Sequence, residues 1–198
     1  TAGSNVAIGL DALFANTTGA NNVAMGNYAL DANTTASYNT AVGASTLSSA
    51  GEGHTNTAMG YLAGRDVTTG DNNVLVGGYA GIQLTTGGDN VGIGTNTLYG
   101  VCTGSSNVAV GKNAMYVNTS GGSNVAVGAS ALDANTTASY NTAVGSAALS
   151  TTITGAQNTA VGTYALQAAL EDNNTAVGYA AMQNCTSGEY NVAVGHAA

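Results

Sequence analysis

Few side chains in this 198-residue sequence could do chemistry. It holds two histidines, His54 and His196, and two cysteines, Cys102 and Cys185, with ten carboxylates and two cationic residues. Nothing in their spacing assembles a known reaction. The carboxylates (Asp11, Asp31, Glu52, Asp66, Asp71, Asp89, Asp133, Glu171, Asp172 and Glu189) are scattered, and no serine–histidine–carboxylate set is brought together by pattern. Neither an EF-hand loop nor a calcium-binding nonapeptide occurs. Asp71-Asn72-Asn73 is at most a weak cation contact. The sequence thus predicts no catalytic residues, no metal centre and no cofactor. It is rich instead in tyrosine and asparagine, and the reading turns on where those fall.

Charged residues make up 6% of the chain, with a net charge of −8. An ordinary domain carries about 25%. Two cations cannot form a phosphate-binding patch, which excludes nucleic-acid binding. No apolar run is long enough to span a bilayer, and no basic segment followed by an apolar one suggests a signal peptide. There are 29 glycines and no proline.

An Asn–(Val/Thr)–small–(Val/Ile/Met)–Gly pentad recurs, starting at Asn5, Asn22, Asn39, Asn56, Asn73, Asn90, Asn107, Asn124, Asn141, Asn158, Asn174 and Asn191. The spacing is 17 residues except between Asn158 and Asn174, where it is 16. The segment Leu30–Gly43 recurs unchanged at Leu132–Gly145, which points to duplication of a six-repeat block. The array starts and stops in mid-repeat without capping segments. It is therefore expected to be one repeat array over residues 1–198, a fragment of a longer fibre or one whose ends are covered by partners.

Number the pentad asparagine as position 1. Position 8 is Ala or Thr, position 9 mostly Leu or Met, and positions 13–15 commonly Thr-Thr-Gly or Thr-Thr-Ala. Each unit reads as a β-branched strand, a glycine break, a short Ala-Leu strand and a turn. Frequent glycine and β-branched pairs disfavour helix. Seventeen residues cannot enclose a core alone, but stacked coils can, each strand pairing with its counterpart one repeat along. The expected fold is all-β, a parallel β-solenoid or β-roll of about twelve coils. Its expected structural element is a ladder of the twelve pentad asparagines, bonded side chain to side chain. Positions 4 and 9 are expected to fill a thin core. The small residues at positions 3 and 8 are expected to pack on another chain about a twofold or threefold axis; a narrow coil interior is the other reading.

The motif at Asn5–Gly9 with Ala12 and Leu13, and the general form N-T-A-V-G-x-x-A-L followed by Thr-Thr-Gly, resembles the head repeats of trimeric autotransporter adhesins and related phage tail-fibre repeats. The resemblance covers essentially the whole chain. It implies a left-handed parallel β-roll wound as a homotrimer, and adhesion to a host surface, matrix protein or glycan. Head repeats of that family are shorter than 17 residues, so the cross-section and chain contacts here could differ.

Tyrosines fall only at position 6 (Tyr61, Tyr179), position 7 (Tyr28, Tyr79, Tyr164), position 10 (Tyr99, Tyr116) and position 17 (Tyr38, Tyr140, Tyr190). They avoid the core positions, which makes them candidate surface contacts; covering apolar edges between coils is the other reading. Sequons begin at Asn16, Asn33, Asn118, Asn135, Asn173 and Asn184. Cys102 and Cys185 lie five coils apart, too far for a disulfide. The expected function is a non-enzymatic extracellular fibre segment at a cell surface or on a virion, an adhesin head or tail-fibre shaft. It would associate with itself and with a glycan or receptor, with no nucleic acid or membrane insertion. A purely structural spacer is the alternative. An ice-binding solenoid is the remote one: adjacent threonines in a strand would face opposite ways, and Glu52, Leu170 and Glu171 interrupt the array.

Overall fold

The computed structural model describes residues 3–100, 102–168 and 171–198. Leu170, one of the residues expected to interrupt the threonine array, lies outside them. Among the described residues, twelve three-residue strands stack in chain order into one parallel sheet. They are β1 (Val6–Ile8), β2 (Val23–Met25), β3 (Thr40–Val42), β4 (Thr57–Met59), β5 (Val74–Val76), β6 (Val91–Ile93), β7 (Val108–Val110), β8 (Val125–Val127), β9 (Thr142–Val144), β10 (Thr159–Val161), β11 (Thr175–Val177) and β12 (Val192–Val194). Every strand pairs position for position with the next, as Ala109 with Ala126. The protein is a parallel β-solenoid of about eleven turns, because the last coil stops soon after its strand. Eleven steps at strand spacing give a rod of about 53 Å.

The pentad asparagine holds the coils in register. Its Oδ1 accepts the backbone N–H of the next pentad asparagine, at 2.8 Å from Asn39 to Asn56. Its Nδ2 donates to the carbonyl at position 15 of its own coil, at 2.8 Å from Asn56 to Gly70. One side chain thus closes its own loop and grips its neighbour. The expected side-chain-to-side-chain bond is confined to part of the ladder, as in Asn107 Nδ2 to Asn90 Oδ1 at 3.1 Å. The main bonds go to backbone because a buried peptide group without a partner is costly. Asn22, Asn39, Asn56, Asn73, Asn90, Asn107, Asn124, Asn141, Asn158 and Asn174 are buried, whereas Asn5 is half-buried and Asn191 exposed. The one-residue deletion leaves the ladder intact, with Asn174 N–H to Asn158 Oδ1 at 2.8 Å.

The strand faces the opposite way from the expectation. Position 3 points inward, and Ala24, Ala41, Ala109 and Ala143 are fully buried. Position 4 points outward, leaving Ile8, Met25, Met59 and Ile93 exposed. Small residues at positions 3 and 8 therefore reflect a narrow interior and not a second chain. Leu30, Leu47, Leu98, Leu132, Leu149 and Leu166 at position 9 fill the rest of the core.

The Ala-Leu segment is also not a strand. Positions 7 and 9 adopt left-handed backbone, as Ser130 at φ +55° and Leu132 at φ +51°. Successive turns close it, for example Ala131 N–H to the Gly128 carbonyl and Asn135 N–H to the Leu132 carbonyl. A strand would send positions 8 and 9 to opposite faces; alternating backbone handedness lets both enter the core. Position 5 admits only glycine. At Gly128 φ is +137°, and a Cβ there would lie 2.5 Å from the Gly145 carbonyl oxygen.

Where the repeat departs from its own pattern, the core compensates. Position 9 is Gly64 and Gly81 in two adjacent coils, and Leu75 replaces alanine at position 3 between them. A Cβ on Gly64 would lie 2.9 Å from Leu75 Cδ1, and one on Gly81 2.7 Å from Leu75 Cδ2. Gly92, at position 3 of the next coil, leaves room for the same side chain, with Leu75 Cδ2 3.2 Å from where its Cβ would be. One leucine fills the volume that two do elsewhere. Leu75→Ala should cost about 3 kcal/mol in urea unfolding. Adding Gly64→Leu and Gly81→Leu, at φ +61° and +58° where other coils carry leucine, should restore much of the loss.

Candidate functional site

Outward residues form three strips along the rod. One is the strand face at positions 2 and 4. A second comprises positions 6, 7, 10 and 11. A third comprises positions 13, 14, 16 and 17.

The second strip gathers six of the ten candidate tyrosines, with His196, into two runs. Tyr61 meets Tyr79 edge to face with centroids 5.4 Å apart, Tyr79 lies 6.4 Å from Tyr99, and Tyr99 stacks on Tyr116 at 4.9 Å. Positions 6, 7 and 10 converge because positions 8 and 9 between them turn into the core. The other run is Tyr164, Tyr179 and His196, with spacings of 6.0 and 5.0 Å. Tyr28 is exposed on the same strip. Tyr38, Tyr140 and Tyr190 stand on the third strip, exposed, on left-handed backbone.

Both cations also lie on the second strip. Arg65, at position 10, binds Asp66 through Nε at 2.7 Å and Nη2 at 2.6 Å, a bidentate pair. Those bonds push the guanidinium pKa further up. Lys112 stands at position 6, three coils along from Arg65. Asn96 Nδ2 donates to Asn113 Oδ1 at 3.2 Å between them.

His54, Asp71 and Asp172 link neighbouring coils. His54 Nδ1 accepts the Ser37 N–H at 3.1 Å, and Asp71 Oδ1 accepts the His54 N–H at 2.6 Å. Asp172 does the same for Ala156 at 2.7 Å. Position 16 is thus a second chain of side-chain-to-backbone links, which the sequence did not reveal because Ser, His and Asp share the task. Asn72 Nδ2 donates to Asp89 Oδ1 at 3.2 Å. Among the described residues no three His, Cys, Asp or Glu cluster as metal ligands. Cys102 is buried, and burial pushes its thiol pKa up, away from a nucleophilic thiolate. Cys185 is also a free thiol. No helix is long and apolar enough to cross a membrane among the described residues.

Three of the six sequon asparagines, Asn33, Asn118 and Asn135, are buried, and with half-buried Asn16 they form a second, broken ladder of two pairs at position 12. Asn33 Nδ2 donates to Asn16 Oδ1 at 3.0 Å, and Asn135 Nδ2 to Asn118 Oδ1 at 2.9 Å. The Asn-Thr-Thr turn was the signal for this ladder, hidden by its match to a sequon.

Adjacent threonines both face out, as Thr17 with Thr18 and Thr68 with Thr69. They occupy a turn, so strand alternation does not apply to them, and that objection to a threonine array fails. The inner threonine spends its hydroxyl on the next coil, as Thr119 Oγ1 to the Thr136 carbonyl at 2.8 Å. Gly51 with Glu52, buried Cys102, and Ile153 interrupt the rows.

No family model, no curated protein and no solved structure matches this chain.

The second ladder stops at Thr152, leaving Asn135 Oδ1 and Thr152 Oγ1 buried without partners. Thr152→Asn should extend it and stabilise the protein by about 1 kcal/mol in urea unfolding. Within the main ladder, Asn107→Ala should cost about 2–4 kcal/mol, since it strands the Asn124 N–H and the Gly121 carbonyl. Burial raises the pKa of Asp133 above its ordinary 3.8. The folded state then binds a proton more tightly than the unfolded state, so the charged carboxylate destabilises the fold above its folded pKa, and the penalty vanishes as pH falls toward 3.8. Asp133→Asn should therefore raise Tm at pH 7 and lose that gain in acid, read by thermal melts across pH.

Proposed function

We propose that this chain is a non-enzymatic segment of an extracellular fibre that assembles as a homotrimer and attaches to a surface. The strand face carries the reading. Position 4 is Val, Ile or Met and position 2 is Val or Thr in all twelve pentads. Facing outward, position 4 makes an unbroken apolar row about 53 Å long at strand spacing, flanked at position 2 by Val or Thr. Exposed apolar surface in so continuous a form marks an interaction site. A straight stripe of identical rungs is complementary to copies of itself, and packing three about an axis would cover it while leaving the tyrosine strip outside. The low charge fits this, since no charged residue occupies positions 1 to 5. The resemblance to trimeric adhesin head repeats supports the same assembly, and also the cell-surface or virion setting.

Uniformity along the rod favours one competing reading, a spacer that supplies only reach and stiffness. It shares the trimer and lacks the contact. Immobilised polysaccharides, matrix proteins and whole cells, probed with labelled fragment, separate the two: adhesion supports attachment, and none supports the spacer.

Light scattering should give three times the 19.2 kDa chain mass. Val127→Lys, at a position open to solvent in the single chain, should lower the mass to that of one chain without loss of β-structure by circular dichroism. A 19.2 kDa species for the unaltered protein would sink the trimer.

A further inference from the structure

The run Tyr61–Tyr79–Tyr99–Tyr116 is not required by the fold. Other coils carry Ser48 and Ser150 at position 10, Ser45 and Ser130 at position 7, and Ala44 and Ala129 at position 6, with the same strand register. A covering role between coils would call for bulk there too. Instead the rings are concentrated on four consecutive coils, spanning about 14 Å; Tyr61 remains 53% exposed, and Tyr79, Tyr99 and Tyr116 are half-buried. The same stretch carries the bidentate Arg65–Asp66 pair, its side chains 37% and 31% exposed, and the Asn96–Asn113 amide pair.

Resting on the attachment reading above, we infer that this stretch of the tyrosine strip is a binding surface for a neutral polysaccharide chain. A hexose presents C–H groups on its ring face and hydroxyls at its rim. The first pack on aromatic surface. The second can bond to the free lone pairs of Asp66, the unused guanidinium N–H groups of Arg65 and the paired amides. A repeated, extended ligand suits a repeated, extended platform. Charge favours the neutral class: Arg65 is already neutralised by Asp66, exposed Lys112 is the one other cation of the strip, and a chain of net charge −8 repels a polyanion.

The sequence has no tryptophan, so tyrosine emission reports directly on occupancy. Maltohexaose, cellohexaose and xylohexaose serve as neutral probes and a heparin hexasaccharide as the anionic one, against the assembled protein. At least one neutral hexaose should bind. Tyr99→Ser and Tyr116→Ser, each installing a residue that position 10 already holds in other coils, should weaken it about tenfold. Tyr164→Ser, on the other run, should leave it unchanged. Unaltered thermal melts show that the variants are folded; should either fail to fold, Tyr79→Ser carries the same expectation.

If no neutral hexaose binds, or if heparin binds better with an affinity that falls with salt, the neutral-glycan assignment is overturned. If binding or cell adhesion persists in the Tyr99 and Tyr116 variants, the site is overturned while attachment stands. If the unaltered protein adheres to nothing, the attachment reading itself falls.

Discussion

The structure depends on one bidirectional contact: the pentad asparagine gives its amide N–H to a carbonyl of its own coil and takes a backbone N–H from the next. The strands are short, three residues per coil as in β7, and backbone bonds from the turns also join each coil to the next, as Leu30 N–H to the Thr46 carbonyl. The asparagine adds to these a side-chain link at a buried position, where the bond is shielded from water. Register locked at every rung puts like residue on like. Charges stacked that way would repel, which is why the coil's regular positions hold none.

Closing a 17-residue loop around so thin a core has a conformational cost. Positions 7, 9 and 17 hold left-handed backbone with ordinary side chains, Leu and Tyr among them, at about 1–2 kcal/mol each. That strain persists because stacking over-determines it: such residues in the inner coils are bonded to the coil on one side, as Leu132 N–H to the Ala148 carbonyl. The gain is geometric, since two consecutive residues, Ala131 and Leu132, both enter the core. The Leu75 exchange with Gly64, Gly81 and Gly92 shows that the interior is held to constant volume even where the repeat pattern lapses.

A rod of this kind leaves its outward strips free to diverge. The strand strip stays uniform and apolar, as suits packing against copies. The tyrosine strip varies from coil to coil, gathering Arg65, Asp66 and four rings in one stretch and serine or alanine in others. Uniformity in one strip and local specialisation in the next is what a fibre segment needs if one side assembles and another makes contact.

Much was legible in the residues. The 17-residue period, the parallel stack, the asparagine ladder and the glycine corner follow from spacing and from what each residue type can bond or avoid. The direction of the strand did not follow. Val110 and Ala109 are both apolar, so alternation separated two faces without saying which was inside. Volume decided it: with leucine at position 9 already filling the narrow interior, only alanine fits opposite, and the larger residue must face out. Likewise, proximity of Tyr61, Tyr79, Tyr99 and Tyr116 could not be read from positions 6, 7 and 10. It arises only when left-handed residues turn the chain between them inward, a choice the backbone makes to satisfy the packing of the whole stack.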